Sequence, residues 1–144
     1  MEYFETAVLA YLAAPPNRFV SPQFALPSKD GEGGSCPDFV VLDFGVSTVY
    51  VAEVTTSSNP RNLLSRVREK DKRWLTPLRH HMSSIAESFN SWKYRLTLFV
   101  RDEVYRQIEE AVRNESDVFV VSLDKVVFEW RWDWKEGRAV NRLE

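Results

Sequence analysis

The sequence is poor in the residues that form disulfides and zinc sites. It has one cysteine and two histidines among 144 residues. A single cysteine, Cys36, cannot form an intrachain disulfide, and no Cys/His cluster has the spacing of a zinc site. A glycine-rich phosphate loop and a dinucleotide-binding motif are also missing. Because disulfides are rare in reducing compartments, we expect a cytoplasmic protein.

Long apolar runs and a strong excess of charge are missing as well. No apolar stretch approaches the roughly 20 residues that a membrane-spanning helix requires, and the acidic start MEYFETAVLAYLAAPP does not resemble a signal peptide. The net charge is −2, so the average does not indicate nucleic-acid binding, although it can conceal local patches. The length and the 44% hydrophobic content predict one domain over residues 1–144.

Hydrophobic periodicity and turn residues divide the chain into nine elements. We expect a helix over about residues 2–13, a strand over 18–26 and a hairpin formed by 38–44 and 48–55. A long helical region follows up to about residue 88, with a bend near Pro77. The remaining elements are a strand (94–100), a helix (102–114) and two strands (117–123 and 125–134). The order α-β-β-β-α-β-α-β-β predicts an α/β fold with a mixed β-sheet flanked by helices.

Two acidic residues lie in or beside strands that are otherwise apolar. Glu53 shares a strand face with Val49 and Val51, and Asp38 begins the neighbouring strand. Because a hairpin places the start of one strand beside the end of the next, we expect Asp38 and Glu53 to lie close together. Adjacent carboxylates repel unless a proton or a cation intervenes, and Mg²⁺ commonly binds one or two carboxylates. The alternative is that Asp38 caps a turn and Glu53 forms an ion pair at the strand end.

The arrangement of these acids resembles a known nuclease motif. Pro37-Asp38, a strand, and then Glu53-x-Thr55, placed in the order αβββαβ, is similar to the pattern of the PD-(D/E)XK nuclease superfamily. This group includes restriction enzymes, Holliday-junction resolvases and RecB-like nucleases. The resemblance covers about residues 2–101. It implies a restriction-endonuclease-like core that hydrolyses DNA phosphodiester bonds with Mg²⁺ or Mn²⁺.

The resemblance also implies a set of metal ligands. Asp38 and Glu53 would bind the metal, and the carbonyl of Val54 would assist them. In many members a glutamate on the first helix joins the site, and Glu5 matches it best, with Glu2 as the second choice.

The sequence departs from the motif at its third signature residue, where Thr55 stands in place of a lysine. A lysine there would orient or help deprotonate the attacking water, which a neutral threonine cannot do. Some members carry this lysine on the following helix. Lys70 lies nearest to the apolar edge of that helix and is the first substitute, and Arg66 is the second. The alternative for each is a solvated residue whose stem covers the core.

The same helical region is locally basic. Residues 60–81 carry seven Lys/Arg and two acids, in contrast to the acidic whole. If this region packs near the acidic pair, its cations could contact the phosphate backbone of DNA. The candidates for these contacts are Arg61, Arg66, Arg68, Lys72 and Arg73.

The C-terminal stretch FEWRWDW alternates aromatic and charged residues. Phe128, Trp130, Trp132 and Trp134 would share one face of a strand. We expect an edge strand that covers a helix, and the alternatives are base stacking or an interface with a protein partner or a second copy of the chain. Two other functions therefore stay open beside the nuclease. One is a degenerate nuclease-fold protein that binds without cleaving, and the other is an interaction module.

Overall fold

The computed structural model describes residues 2–26 and 35–128. The elements are, in chain order, α1 (Tyr3–Ala13), β1 (Arg18–Pro22), β2 (Phe39–Asp43), β3 (Thr48–Thr55), α2 (Arg61–Arg68), a π-helical turn (Asp71–Leu75), α3 (Thr76–Ile85), a 3₁₀ turn (Glu87–Ser91), β4 (Lys93–Val100), α4 (Asp102–Ala111) and β5 (Val118–Ser122). Residues 123–128 are helical. Up to β5 this is the predicted order.

The strands form one mixed sheet in the order β1-β2-β3-β4-β5. The first three strands are antiparallel, with Val40 opposite Val51, and the last three are parallel, with Glu53 beside Leu98. β1 lies at an edge, which fits the presence of Pro22 at its end because proline cannot donate a ladder hydrogen bond. The central strand β3 is buried from Thr48 to Glu53, since helices cover both faces of the sheet.

Each face of the sheet has its own apolar core. One face packs α1 against β-strand residues such as Phe39, Tyr50 and Phe99. The other face bears Val49 and Val51 and packs against α2, the π-helical turn, α3 and α4. Side chains alternate along a strand, so Glu53 belongs to the second face, together with α2.

The long helical region between β3 and β4 is not uniform. Its π-helical turn lies directly before α3, and Pro77 occupies the first turn of α3, where a proline is well tolerated. Pro77 has no N–H to donate to the carbonyl of Arg73, and the hydroxyl of Ser35 donates to that carbonyl instead, at 2.7 Å. The irregularity predicted near Pro77 is therefore present, one turn earlier.

The predicted final strand over residues 125–134 is wrong for its first four residues, which are helical. Leu123 and Val126 are both buried in the core beneath α1, and a spacing of three residues brings side chains to one face of a helix. Packing thus overrides the β-branched composition of this stretch. The remainder of the FEWRWDW segment, with its tryptophans, lies outside the described residues. Among residues 2–26 and 35–128, no helix is long and apolar enough to cross a membrane.

Candidate metal centre

Asp38 and Glu53 lie side by side, as predicted, and are joined by two hydrogen bonds. The backbone N–H of Asp38 donates to Glu53 Oε2 at 3.0 Å, and the backbone N–H of Val54 donates to Asp38 Oδ2 at 2.8 Å. The antiparallel register explains this arrangement, because Phe39 lies opposite Ala52 and the preceding residue therefore lies beside Glu53. Each backbone thus orients the carboxylate of the neighbouring strand.

Burial makes this pair electrostatically unusual. The Glu53 side chain is only 10% exposed. Loss of water around the carboxylate, followed by repulsion from Asp38, raises the pKa of Glu53 from 4.5 to about 7. Glu53 is therefore close to half protonated at neutral pH when no metal ion is bound. A pair of this kind is a candidate site for a compensating cation.

Among the described residues, Arg66, which was the second substitute for the motif lysine, forms an ion pair with Glu53. Its Nη1 atom lies 3.8 Å from Glu53 Oε1, and its side chain is 35% exposed. The crossover from β3 to β4 explains this contact. The helical region begins beside the carboxyl end of β3 and runs back along the sheet, so successive turns lie farther from Glu53. Residue 66, in the last turn of α2, is therefore closer to Glu53 than residue 70.

The structure does not bring Lys70 to the acidic pair. Its Nζ atom donates a hydrogen bond to Glu115 Oε2 at 3.2 Å and lies 3.6 Å from Asp117 Oδ1. Asp117 directly precedes β5, which is two strands from β3 in the sheet. It lies three residues before Val120, the residue of β5 that is level with Glu53, so the two backbones are on the order of 14 Å apart. Burial acts to lower the pKa of Lys70, but these carboxylates raise it on balance. Lys70 therefore links the helical region to the α4–β5 loop.

Thr55 and Val54 follow Glu53 at the end of β3. Thr55 shares the face of Glu53, and its hydroxyl accepts a weak hydrogen bond from the N–H of Ser57 at 3.4 Å. The Val54 N–H is taken by Asp38, as described above. A role for the Val54 carbonyl in metal binding stays a prediction.

Glu5 and Glu2 form a capping box at the start of α1, in which the Glu2 N–H donates to Glu5 Oε2 at 3.3 Å. α1 packs on the face of the sheet opposite to Glu53. In the described part of the chain, no group of three or more His, Cys, Asp or Glu side chains is arranged to hold a metal ion. The structure thus does not bring Glu5 into the acidic pair.

The remaining basic candidates lie on the surface of the same helical region. Arg61, Arg68, Lys72 and Arg73 are all exposed, and the guanidinium of Arg73 lies 5.5 Å from the ring centre of Trp74. Arg61 and Arg68 lie on α2, and Lys72 and Arg73 lie on the π-helical turn that follows it. Their exposure is compatible with phosphate contacts, which stay a prediction.

The acidic pair supplies the type of ligand that a hard divalent cation prefers. One oxygen of each carboxylate, Asp38 Oδ2 and Glu53 Oε2, accepts a backbone hydrogen bond, and a side-chain hydrogen bond between Asp38 and Glu53 also favours the protonated form of Glu53. Two carboxylate oxygens and several waters are a common coordination for Mg²⁺. The residues present fit such an ion, with Arg66 as the competing charge on the Glu53 side.

Comparison with known proteins supports the fold. No protein-family model matches the chain, and no curated protein matches it. Among solved structures, the chain is similar to the small subunit of the heterodimeric restriction endonuclease R.BspD6I, with a TM-score of 0.50 and 12% sequence identity. The similarity covers 96% of this chain and 72% of that subunit. The chain has a restriction-endonuclease-like fold. At this identity the similarity concerns the fold alone.

Proposed function

We propose that this protein is a metal-dependent nuclease that hydrolyses DNA phosphodiester bonds. The observation that carries the proposal is the pair of hydrogen bonds that holds Asp38 and Glu53 side by side on neighbouring strands. The restriction-endonuclease-like fold supports the proposal, since the similar solved structure is the small subunit of a restriction endonuclease. Membership of the PD-(D/E)XK superfamily is part of the proposal.

The residues of the chain would divide the work between metal binding and substrate binding. Asp38 and Glu53 would hold Mg²⁺ or Mn²⁺, which when bound activates water and stabilises the negative charge of phosphodiester hydrolysis. The backbone N–H groups of Asp38 and Val54 would keep both carboxylates oriented. The exposed cations of α2 and the π-helical turn would position the DNA backbone. Thr55 has no charge to contribute.

A protein partner or a second copy of the chain is a further element of the proposal. The similar subunit belongs to a heterodimeric enzyme, which supports a partner for this chain. The tryptophan-rich segment proposed as this interface lies outside the described residues. Size-exclusion chromatography with light scattering would reveal a homodimer directly.

A cleavage assay tests the nuclease. Linear, single-stranded and branched DNA are incubated with the protein in Mg²⁺ or Mn²⁺, beside the variants Glu53→Gln and Asp38→Asn. Both variants keep the shape of the side chain and remove its charge. Glu110→Gln, which changes an exposed acid of α4, is the matched control. We expect cleavage by the wild type and the control, and its loss in both site variants. Equal cleavage by all four proteins would indicate a contaminating nuclease.

A second candidate function is DNA binding without cleavage. It is favoured by the contact of Arg66 with Glu53 and by the neutral Thr55, because together they leave the acidic pair with a fixed cation and without a basic lysine. This function predicts DNA affinity that does not require a divalent ion and that falls when Arg61 or Arg68 is changed to Gln. Fluorescence anisotropy in EDTA and in Mn²⁺ separates it from the nuclease.

A further inference from the structure

The contact between Arg66 and Glu53 has an unusual geometry. Glu53 Oε2 is occupied by the N–H of Asp38, so Arg66 lies against the remaining oxygen, Oε1. The separation of 3.8 Å exceeds the range of an N–H···O hydrogen bond, so the contact is electrostatic and imposes no fixed direction on the guanidinium. The carboxylate is 10% exposed, whereas the Arg66 side chain is 35% exposed. Arg66 can therefore turn outward while Glu53 stays in place.

We propose that Arg66 is a positioning residue that couples DNA binding to metal binding. In the free protein its guanidinium lies at Glu53 Oε1 and competes with a divalent cation for that oxygen. When DNA is bound, Arg66 turns to a backbone phosphate and leaves Oε1 to the metal. This inference rests on the proposed nuclease function and adds to it a sequence of events at the same site.

The competition follows from charge. An arginine cannot lose its proton in a protein, so Arg66 keeps its positive charge at every working pH. A divalent ion at Glu53 Oε1 would face this charge at close range, which raises the free energy of the metal-bound state. Removal of the charge should therefore strengthen metal binding when no DNA is present.

The exchange with phosphate follows from the position of Arg66 on its helix. The Arg66 side chain is 35% exposed and lies beside Glu53 in the last turn of α2, so a phosphate bound at the acidic pair would lie within reach of its guanidinium. A phosphate can accept two parallel hydrogen bonds from an arginine, which is a stronger interaction than the present contact at 3.8 Å. Because binding free energies are linked, a metal that binds more tightly with DNA must also strengthen DNA binding.

The first part of the test measures Mn²⁺ binding by isothermal titration calorimetry in the absence of DNA. The wild type is compared with Arg66→Gln, Arg66→Lys and, as a control, Arg106→Gln, which changes an exposed arginine of α4. We expect Arg66→Gln to bind Mn²⁺ on the order of tenfold more tightly than the wild type. Arg66→Lys restores the positive charge and should return the affinity toward the wild-type value. Arg106→Gln removes one positive charge from the protein surface on α4, and its Mn²⁺ affinity should stay within about twofold of the wild type.

The second part measures DNA affinity by fluorescence anisotropy with and without Mn²⁺ at constant ionic strength. The probe is a short labelled duplex with phosphorothioate linkages, which keep the backbone charge and resist hydrolysis. Mn²⁺ should strengthen DNA binding by the wild type and by Arg106→Gln several-fold more than by Arg66→Gln. If Arg66 had only a structural role, Arg66→Gln would leave the effect of Mn²⁺ on DNA affinity unchanged.

The outcomes separate the inference from the function on which it rests. If the wild type binds Mn²⁺ through Glu53 but Arg66→Gln binds it no more tightly, the coupling is refuted and the metal site stands. If neither protein binds Mn²⁺, with or without DNA, the proposed nuclease function is refuted and the coupling with it.

Discussion

The raised pKa of Glu53 predicts an unusual dependence of stability on pH. A carboxyl group whose pKa rises from 4.5 to about 7 on folding holds a proton in the folded state that the unfolded chain has already lost. Below the pKa of the unfolded chain, this group contributes nothing to the free energy of unfolding. Between the two pKa values its contribution becomes more unfavourable to folding as pH rises, and above the pKa of the folded state it is constant. Glu53 should therefore destabilise the folded protein by about 3 kcal/mol at high pH when no divalent ion is present.

The variant Glu53→Gln isolates this contribution, because the amide has nearly the same shape and cannot ionise. The free energy of unfolding is measured by urea denaturation at pH 5 and pH 8 in EDTA, with Glu110→Gln as the control for net charge. Between these pH values the stability of Glu53→Gln relative to the wild type should rise by roughly 2.5 kcal/mol. A difference that is the same at both pH values would show that Glu53 is not perturbed by burial and by Asp38.

Three further predictions concern other residues. Thr55→Lys places an ammonium beside Glu53, and cleavage should become on the order of a hundredfold faster; an unchanged rate with intact Mn²⁺ binding would contradict this. Lys70→Met removes the contact with Glu115 and should lower the unfolding free energy by about 1–2 kcal/mol while cleavage persists; selective loss of cleavage would make Lys70 catalytic. Arg18→Met leaves the buried carboxylate of Asp43 without the guanidinium that lies 2.8 Å away, and urea denaturation should show that the unfolding free energy falls by about 3–5 kcal/mol. The double variant Arg18→Met, Asp43→Leu removes both charges and should lose less, so an equal or larger loss in the double variant would contradict this.

The fold and the acidic pair could be predicted because they depend on short-range patterns. Strand alternation and the hairpin turn fix which residues face each other, and this alone brings Asp38 beside Glu53. Asp43 lies five residues after Asp38, so strand alternation places it on the other face of the sheet, where it forms a buried ion pair with Arg18. Such predictions succeed when the backbone is regular between the residues concerned.

The position of Lys70 could not be predicted in this way. A uniform helical projection assumes 3.6 residues per turn, whereas α2 ends at Arg68 and a π-helical turn follows. The partners of Lys70 are also distant in sequence, since Glu115 and Asp117 lie in the α4–β5 loop. The α4–β5 loop comes close to Lys70 because β3, β4 and β5 are parallel neighbours in the sheet. No local pattern in the sequence predicts this contact.

The charge balance of the site explains why Thr55 and Arg66 have to be considered together. Two carboxylates and one guanidinium would leave a net negative charge in a poorly hydrated site, and the partial protonation of Glu53 reduces it near neutral pH. A lysine at position 55 would place a second cation on the same face as Glu53, close to Arg66. A neutral residue at 55 is therefore compatible with a cation supplied from α2. On this argument the positive charge of the site is supplied by Arg66 on the helix, where it is exposed enough to reach a phosphate.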